Sequence, residues 1–416
     1  MKAGQVFTAI DIGTTKICTI IAVVNEEEKL EVKGIGKSKT KGMENGLVID
    51  ISLAAKSIAD AIKEAEEMSE MKAKNIFVGI AGEHIHSFNT LGRVGLAEEP
   101  GEITAEHVSQ VIKDAKTTIK RKPNTSKLDI IHAIPQYFEV DGQKGIMNPI
   151  NMNGDNLSAY VHIVMADINT MANIRKCLEV NNYKIKDIFL EPIASAHAVL
   201  NEVEKKLGSI LIDIGGGTTD IVVFYKGSIR FSAVLPQGGE KITQDLSIGL
   251  KTSPQIAEQI KIEKGNAIAF EKNKKELIEI EGIGGRPSRK KSQYYISKII
   301  EERMKEILEK AYNLLNENHN LSLISAGLTI SGGASQLKNA EILAEKIFNQ
   351  STKIGYPDLT RLAGPTDRLN NPMYATTVGI LYHAYDQIKN AHSQIWQTRQ
   401  RDPIWKIFKK ILSYFS

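Results

Sequence analysis

The sequence is poor in cysteine: Cys18 and Cys177 are the only two among 416 residues. So few thiols in a long chain argue against an oxidising compartment and for a reducing one. Cys18 sits within an apolar run and reads as a small buried hydrophobe. No apolar run reaches the roughly 18 residues that a spanning helix needs, so no transmembrane helix is expected. The N-terminal Met-Lys-Ala-Gly-Gln leads into a strand without an apolar signal core, and no secretory leader is expected. Aromatic residues do not interleave with basic ones, and the net charge of +4 is mild, so no nucleic-acid surface is expected. Two familiar phosphate motifs are missing: neither a Walker Gly-Lys-Ser/Thr before a helix nor a G-x-G-x-x-G occurs. His84 and His86 alternate in a strand-like run, but no third ligand type lies near, and both read as exposed strand histidines. Hydrophobic content of 42% and charged content of 25% fit a soluble globular protein with two large domains or four small subdomains. No segment is low in complexity.

What is present is one phrase written twice. Asp11-Ile-Gly-Thr-Thr-Lys16 follows the apolar run Val6-Phe-Thr-Ala-Ile10 and precedes another, from Ile17 to Val24. Asp213-Ile-Gly-Gly-Gly-Thr-Thr-Asp220 stands between Ser209-Ile-Leu-Ile212 and Ile221-Val-Val-Phe-Tyr225. Each phrase reads as the tip of a strand–turn–strand hairpin. One such tip alone is an ordinary turn, because Gly, Thr and Asp are common turn residues. Two with matched flanks predict a clamp. Glycine permits close backbone approach, and exposed amides with Thr hydroxyls form an anion-binding concavity. Gly13, Thr14, Thr15 and Lys16 would face Gly215, Gly216, Gly217, Thr218 and Thr219 across a nucleotide polyphosphate. Asp11 and Asp213, each ending a first strand, would hold a water on its Mg2+.

Further pieces fall in order along the chain. The run from Leu328 to Leu337 reads as a buried strand, a Gly-Gly turn and a helix beginning near Ala334, so Gly332, Gly333 and Ala334 would lie flat against a purine or ribose. Gly238-Gly239-Glu240 opens a helix. Glu258 and Lys261 share a helix face, with a solvated ion pair as the plain alternative to a nucleotide contact. Leu190-Glu191-Pro192-Ile-Ala-Ser-Ala-His-Ala-Val199 and Ala375-Thr-Thr-Val-Gly-Ile380 are small-residue helices that would pack closely as a hinge. Residues 53–68 repeat as a helix and 75–81 as a buried strand. Residues 83–164 read as an inserted α+β subdomain, with a helix near 104–120 whose Thr104 cap lacks the Glu of a capping box. A long helix is expected over 294–316.

The C-terminal segment is amphipathic. At ~100° per residue, Ile404, Trp405, Ile407, Phe408, Ile411, Leu412 and Phe415 cluster with Tyr414, opposite Lys406, Lys409, Lys410 and Ser413. At roughly 20 Å it is too short to span a bilayer. It fits a helix lying in the headgroup plane of an anionic membrane, folding there. A core helix and a partner-groove helix are the alternatives. Residues 386–402 read as a polar linker with a coil reach of roughly 20–25 Å, or in part as an extension of the preceding helix.

The order of phosphate tip, Glu-Pro helix, second tip, Gly-Gly-Glu, Glu-x-x-Lys, Ser-Gly-Gly and second small-residue helix resembles the actin, Hsp70 and sugar-kinase superfamily. Within it, Gly42-Met-Glu-Asn-Gly-Leu-Val-Ile-Asp50, Ile131-His-Ala-Ile-Pro-Gln136, Gly145-Ile-Met-Asn-Pro149, Met152-Asn-Gly154, Gly284-Gly-Arg-Pro287 and the amphipathic tail are similar to the bacterial FtsA cell-division family. The resemblance implies an α/β actin-like ATPase fold: two duplicated ribonuclease-H-like lobes around a nucleotide cleft, an inserted α+β subdomain and a C-terminal amphipathic helix. The first lobe would comprise residues 1–82 and 165–200, with 83–164 inserted. The second would comprise 201–239 and 328–385, with 240–327 as its smaller subdomain. Residues 386–402 would link it to the membrane-targeting helix at 403–416.

The resemblance also implies ATP and Mg2+ as ligands, with Gly238, Gly239, Glu240, Glu258 and Lys261 joining the site. Glu191 would help orient an attacking water, or would be a helix N-terminal Glu stabilised by the dipole. Asp220 would support its own turn. Hydrolysis, at most a slow timer, would be in-line water attack with no covalent nucleophile. Self-polymerisation, peripheral attachment to the cytoplasmic membrane face at the division site, and recruitment of later division proteins through the insert are implied. The C-terminal peptide of the tubulin-like FtsZ would dock near Arg286, Arg289, Lys290, Lys291 and Arg303, a set that otherwise reads as solvated surface. A sugar or carboxylate kinase or phosphatase, a chaperone ATPase and a pilus-assembly relative are the rivals on the same fold.

Overall fold

The computed structural model describes residues 3–96 and 101–399. Both tips are antiparallel hairpins. Val6–Ile12 pairs with Lys16–Val24, placing Asp11 opposite Cys18. Ser209–Ile214 pairs with Thr219–Tyr225, placing Asp213 opposite Asp220. Each hairpin's first strand also pairs in parallel with a later strand, Ile76–Ile80 in one case and Leu328–Ser331 in the other. The same wiring thus occurs twice. The first sheet has six strands, in the order Ile185–Leu190, Ile76–Ile80, Val6–Ile12, Lys16–Val24, Leu30–Lys39 and Leu362–Ala363. The second has five, from Ser228–Leu235 through its hairpin to Leu328–Ser331 and Thr352–Ile354. Central strands carry apolar residues on both faces because helices cover both faces.

Helix Ile51–Ser69 covers one face of the first sheet with Ala54, Ile58, Ala61, Ile62 and Ala65, the stripe its sequence predicts. Asp50 caps it by accepting from the Leu53 N–H at 2.9 Å. Gly36 lets this helix lie directly on the strand, since a Cβ there would sit 2.6 Å from the Ala65 nitrogen. In the second lobe, helix Gln293–Glu317 buries Ile296, Ile300, Met304, Ile307, Leu308, Ala311 and Leu315, while Ile299 of the expected stripe is half-buried.

Between Ile80 and Ile168 the chain builds a separate sheet of Gln143–Ile146, Leu128–Val140, Asn156–Asp167 and Ile85–Gly95, covered by helix Ala105–Lys120. Thr104 has a capping box although the Glu is lacking: His107 supplies it in place of Glu. Thr104 accepts from the His107 N–H, and His107 Nδ1 accepts from the Thr104 N–H, both at 3.3 Å. This sheet also touches the second lobe's edge strand. Gln136 Nε2 donates to the Ile229 carbonyl at 2.8 Å, and His162 Nε2 lies 2.9 Å from Ser232 Oγ.

Three expectations are corrected. His84 is buried in a turn rather than exposed in a strand, and burial pushes its pKa down to about 4. Only His86 is an exposed strand residue. The segment after the Gly-Gly turn does not start an α-helix near Ala334. Gly333–Gln336 is a single tight turn, and the α-helix spans Ala340–Phe348. The basic 286–291 segment is a loop only at its start, because Arg289–Ser292 pairs with Leu277–Ile280. At the C-terminal end, helix Ala375–Arg399 continues through the polar stretch after residue 386, so the helical alternative holds there. The amphipathic segment 403–416 lies outside the described residues. Among the described residues, no helix is long and apolar enough to cross a membrane.

Candidate functional site: a cleft between two tips

The two tips meet face to face. A Cβ on Gly216 would fall onto the Thr15 side chain, and one on Gly217 onto that of Thr14. One tip therefore offers side chains where the other offers bare backbone. Each is held from behind. Thr40 Oγ1 donates to the Gly13 carbonyl at 2.8 Å, and the Gly46 N–H donates to Thr14 Oγ1 at 3.2 Å. On the opposite side, Gly215 N–H closes its own turn on the Thr218 carbonyl at 2.9 Å, and Thr219 Oγ1 donates to the Gln237 carbonyl at 2.7 Å. The amides of Gly239 and Glu240 donate to the carbonyls of Gly215 (2.9 Å) and Gly216 (2.8 Å). This use of the first-turn donors of helix Gly239–Leu250 explains Gly238, where a Cβ would meet the Gly216 carbonyl at 2.5 Å.

The expected ribose and purine residues converge on the same tip. Lys261 is not a solvated partner of Glu258. It is 9% exposed, and its Nζ donates to the Gly239 carbonyl (3.0 Å), Thr243 Oγ1 (2.8 Å) and Glu258 Oε2 (2.7 Å). Glu258 also accepts from Thr243 and remains half-exposed. A Cβ on Gly239 would lie 3.1 Å from the Ala334 Cβ and 3.6 Å from Lys261 Nζ, so the three segments share one surface. Gly332 has φ +83°, and a Cβ there would run into Asp213 Oδ1, so the Gly-Gly turn lies directly on that carboxylate. Gly333 faces open space. A cavity of about 240 Å³ opens in the cleft, lined by Thr14, Thr40, Glu44, Gly217, Glu240 and Lys241.

Four carboxylates lie buried around the tips: Asp11, Glu191, Asp213 and Asp220. Burial pushes Asp11 up to about 6, with Lys16 pulling it down and Asp213 raising it further. Burial also holds Glu191 and Asp220 well above the usual carboxylate range, reinforced in both by Asp11 and Asp213. Asp213 is raised by burial, opposed by hydroxyls of Ser195 and Thr376 and by Lys16. Lys16 Nζ donates to the Met373 carbonyl at 3.1 Å and sits 5.0 Å from the centre of the Tyr374 ring. Asp220 Oδ1 is buried without a hydrogen-bond partner. Ionising all four would leave more negative charge here than the neighbours neutralise, and a divalent cation would relieve it.

No three such groups among the described residues are spaced to grip a metal directly. Mg2+ keeps several waters and binds through one or two carboxylates and phosphate oxygens. Asp11 and Asp213 fit this water-mediated role. Glu191 stands at the first position of helix Glu191–Val199, where the dipole would favour its charge, yet burial and its acidic neighbours win.

The basic residues stand apart from the cleft. Arg286, Arg289 and Lys290 are exposed, and Lys291 lies 4.9 Å above the Tyr295 ring. Arg303 is not a free cation: it forks onto Asp245 (2.6 and 3.1 Å) and reaches Glu306 (2.6 Å). It lines a groove of about 590 Å³ together with Ile248, Tyr295, Ile299 and Glu302. Sequence reasoning missed the hydroxyls around the aspartates, Ser195, Thr376 and Thr377. The signal was there: polar residues inside otherwise apolar small-residue helices.

Two family profiles match this chain, "Cell division protein FtsA" over residues 210–379 and "SHS2 domain inserted in FTSA" over residues 82–165. A curated Cell division protein FtsA from Pseudomonas aeruginosa is 36% identical over 383 residues, covering 92% of this chain and 90% of that protein. The chain belongs to the FtsA family of cell-division proteins. FtsA of Escherichia coli K12 is 31% identical over 405 residues, with 94% and 93% coverage. Among solved structures, a PilM-PilN type IV pilus biogenesis complex aligns with a TM-score of 0.68 at 14% identity, covering 91% of this chain and 98% of that one. MreB 5 of Spiroplasma citri bound to AMPPNP aligns with a TM-score of 0.57 at 15% identity, covering 94% and 100%. The fold is the actin-like ATPase fold, with the family's inserted domain. Its role is in cell division.

Proposed function

We propose that this FtsA-family chain binds Mg-ATP between its lobes, polymerises on the cytoplasmic face of the cell membrane at the division site and tethers FtsZ filaments there. The observation that carries the nucleotide part is the pair of facing tips, one bearing Thr14, Thr15 and Lys16 and the other three glycines, around four buried carboxylates. Bound Mg2+ would supply charge neutralisation for phosphate oxygens. The protein would supply Asp11 and Asp213 as acceptors for metal waters and Lys16 as a fixed cation. Glu191, once ionised, would accept from an attacking water. Hydrolysis would be slow and would time assembly.

The groove beside Arg303 supports the tether. Ile248, 76% exposed, and the ring of Tyr295 offer apolar contacts for a short peptide. The basic strand Arg289–Ser292 reaches the same groove through Lys291 on Tyr295. Residues 404–416 would attach the assembly to anionic lipid. One short helix binds weakly, but a filament presents many together, so avidity makes attachment switch-like. The inserted subdomain would receive later division proteins.

Electron microscopy on anionic lipid monolayers with ATP tests this reading. Filaments are expected, and deletion of residues 404–416 should abolish both them and co-sedimentation with anionic liposomes. Unchanged liposome binding by the deleted chain would remove the anchor. Charge reversal at Arg286 and Arg289 should weaken binding of an acidic FtsZ tail peptide about tenfold, as for two partly screened contacts. Unaltered affinity would move the docking site elsewhere.

A further inference from the structure

The two small-residue helices do more than pack as a hinge. They cross where Gly379 lies on the Ala194 backbone, too close for any Cβ. Beside this crossing, Ser195 Oγ donates to Asp213 Oδ2 at 2.6 Å. Thr376 Oγ1, from the other helix, donates to the same oxygen at 3.3 Å and stands 2.9 Å from Ser195 Oγ. All three side chains are buried, Ser195 completely. The other carboxylate oxygen, Oδ1, faces Gly332, whose missing Cβ leaves it room. Thr377, the next residue on the second helix, is buried beside Asp11 and Cys18, where its hydroxyl forms no well-aligned hydrogen bond.

We propose that Ser195 and Thr376 are positioning residues, one from each hinge helix, that turn Asp213 toward the water of a bound Mg2+ and so make the hinge angle part of the metal site. Two hydroxyls spend one carboxylate oxygen and fix the plane of the group, leaving a single oxygen to accept from the metal's hydration shell. The donors belong to different helices. A rotation of one helix against the other cannot preserve both bonds, so the ligand-competent Asp213 exists at one hinge angle. By linkage, Mg-nucleotide binding favours that angle in return. The proposal rests on the nucleotide reading above.

Titration of the full chain with a fluorescent ATP analogue, with Mg2+ and with EDTA, tests it. A hydrogen bond to a charged group is worth enough to change affinity about tenfold or more. Ser195→Ala and Thr376→Val should each lower the Mg2+-dependent gain in affinity about tenfold, leave the EDTA value unchanged, and Thr376→Ser should restore the gain. Equal losses with and without Mg2+, or no rescue by serine, mark a merely structural role and overturn the proposal. If Ser195→Ala does not fold, the Val and Ser variants at Thr376 decide it. A wild-type chain that binds nucleotide with no Mg2+ gain would remove the underlying reading, an outcome visible before any variant is compared.

Discussion

The two tips share their wiring, an Asp-Ile-Gly and a Thr-Thr, and differ in the glycines between and in the residue that follows. The first has one glycine, two threonines and a lysine, and is braced by Thr40 and Gly46 from a neighbouring segment. The second has three glycines ahead of its two threonines, an aspartate where the first has its lysine, and is braced by the first-turn amides of helix Gly239–Leu250. Lys16 compensates both aspartates, and Asp213 has in addition two hydroxyls from the small-residue helices. Where Gly216 and Gly217 meet Thr15 and Thr14, side chains press on bare backbone. Where the tips touch, the duplicated fold has thus been divided: the first tip supplies side chains and the second supplies close approach.

The largest expected effect follows from that asymmetry. Gly217→Val places a branched side chain where Thr14 already sits, and overpacking of this kind costs up to a few kcal/mol. Nucleotide affinity should fall about 100-fold. The reciprocal change, Thr14→Ala, removes one cleft hydroxyl, which accepts from the Gly46 amide, without adding bulk, and should cost about fivefold. Isothermal titration of both variants gives the comparison directly. Similar losses from the two would mean that the tips are chemically equivalent and the division of labour is wrong.

Much of this arrangement was legible in the sequence, for identifiable reasons. The hairpins were readable because apolar runs flank both phrases, and the helix over 51–69 because its alanines and isoleucines repeat at helical spacing. The convergence of Gly239, Lys261 and Ala334 was expected only as an ordered series, since spacing along a chain does not show which segments touch. His84 misled because alternation with His86 suggests a strand, whereas the local turn buries it. The false helix start at Ala334 came from placing a helix directly after the Gly-Gly turn, where Ser335 Oγ donates back to the Gly332 carbonyl (2.8 Å) and closes a separate turn. The hydroxyls on Asp213 escaped notice because Ser and Thr in a small-residue helix also suit close packing, and only the fold brings residues 195, 213 and 376 together.

The smallest effect concerns pH, and it sharpens the contrast between the two aspartates. Asp11 moves from 3.8 to about 6 on burial, so the folded chain binds its proton more tightly than the unfolded chain. Stability from this group is present below the unfolded value and is lost as pH rises toward about 6. Buried histidines oppose the trend. His132 is pushed down to about 3 and His162 to about 4, so each destabilises the fold as pH falls below 6.5. A single pH profile mixes the two. The difference between wild type and Asp11→Asn cancels the histidines, because both chains carry them. Urea midpoints at pH 5 and pH 7 should show the wild type losing stability relative to the variant as pH rises. Asp11 also raises Glu191 and Asp220, so its removal eases their ionisation in the same direction. Asp213→Asn should move in the same direction, though less through Asp213 itself, which Ser195 and Thr376 favour ionised, than through relief of Asp11, Glu191 and Asp220. Mg2+ with nucleotide should flatten both curves by stabilising the charged carboxylates. A flat Asp11 difference without ligand would mean that solvent reaches this carboxylate, and that the first tip is not the charge-strained half of the clamp.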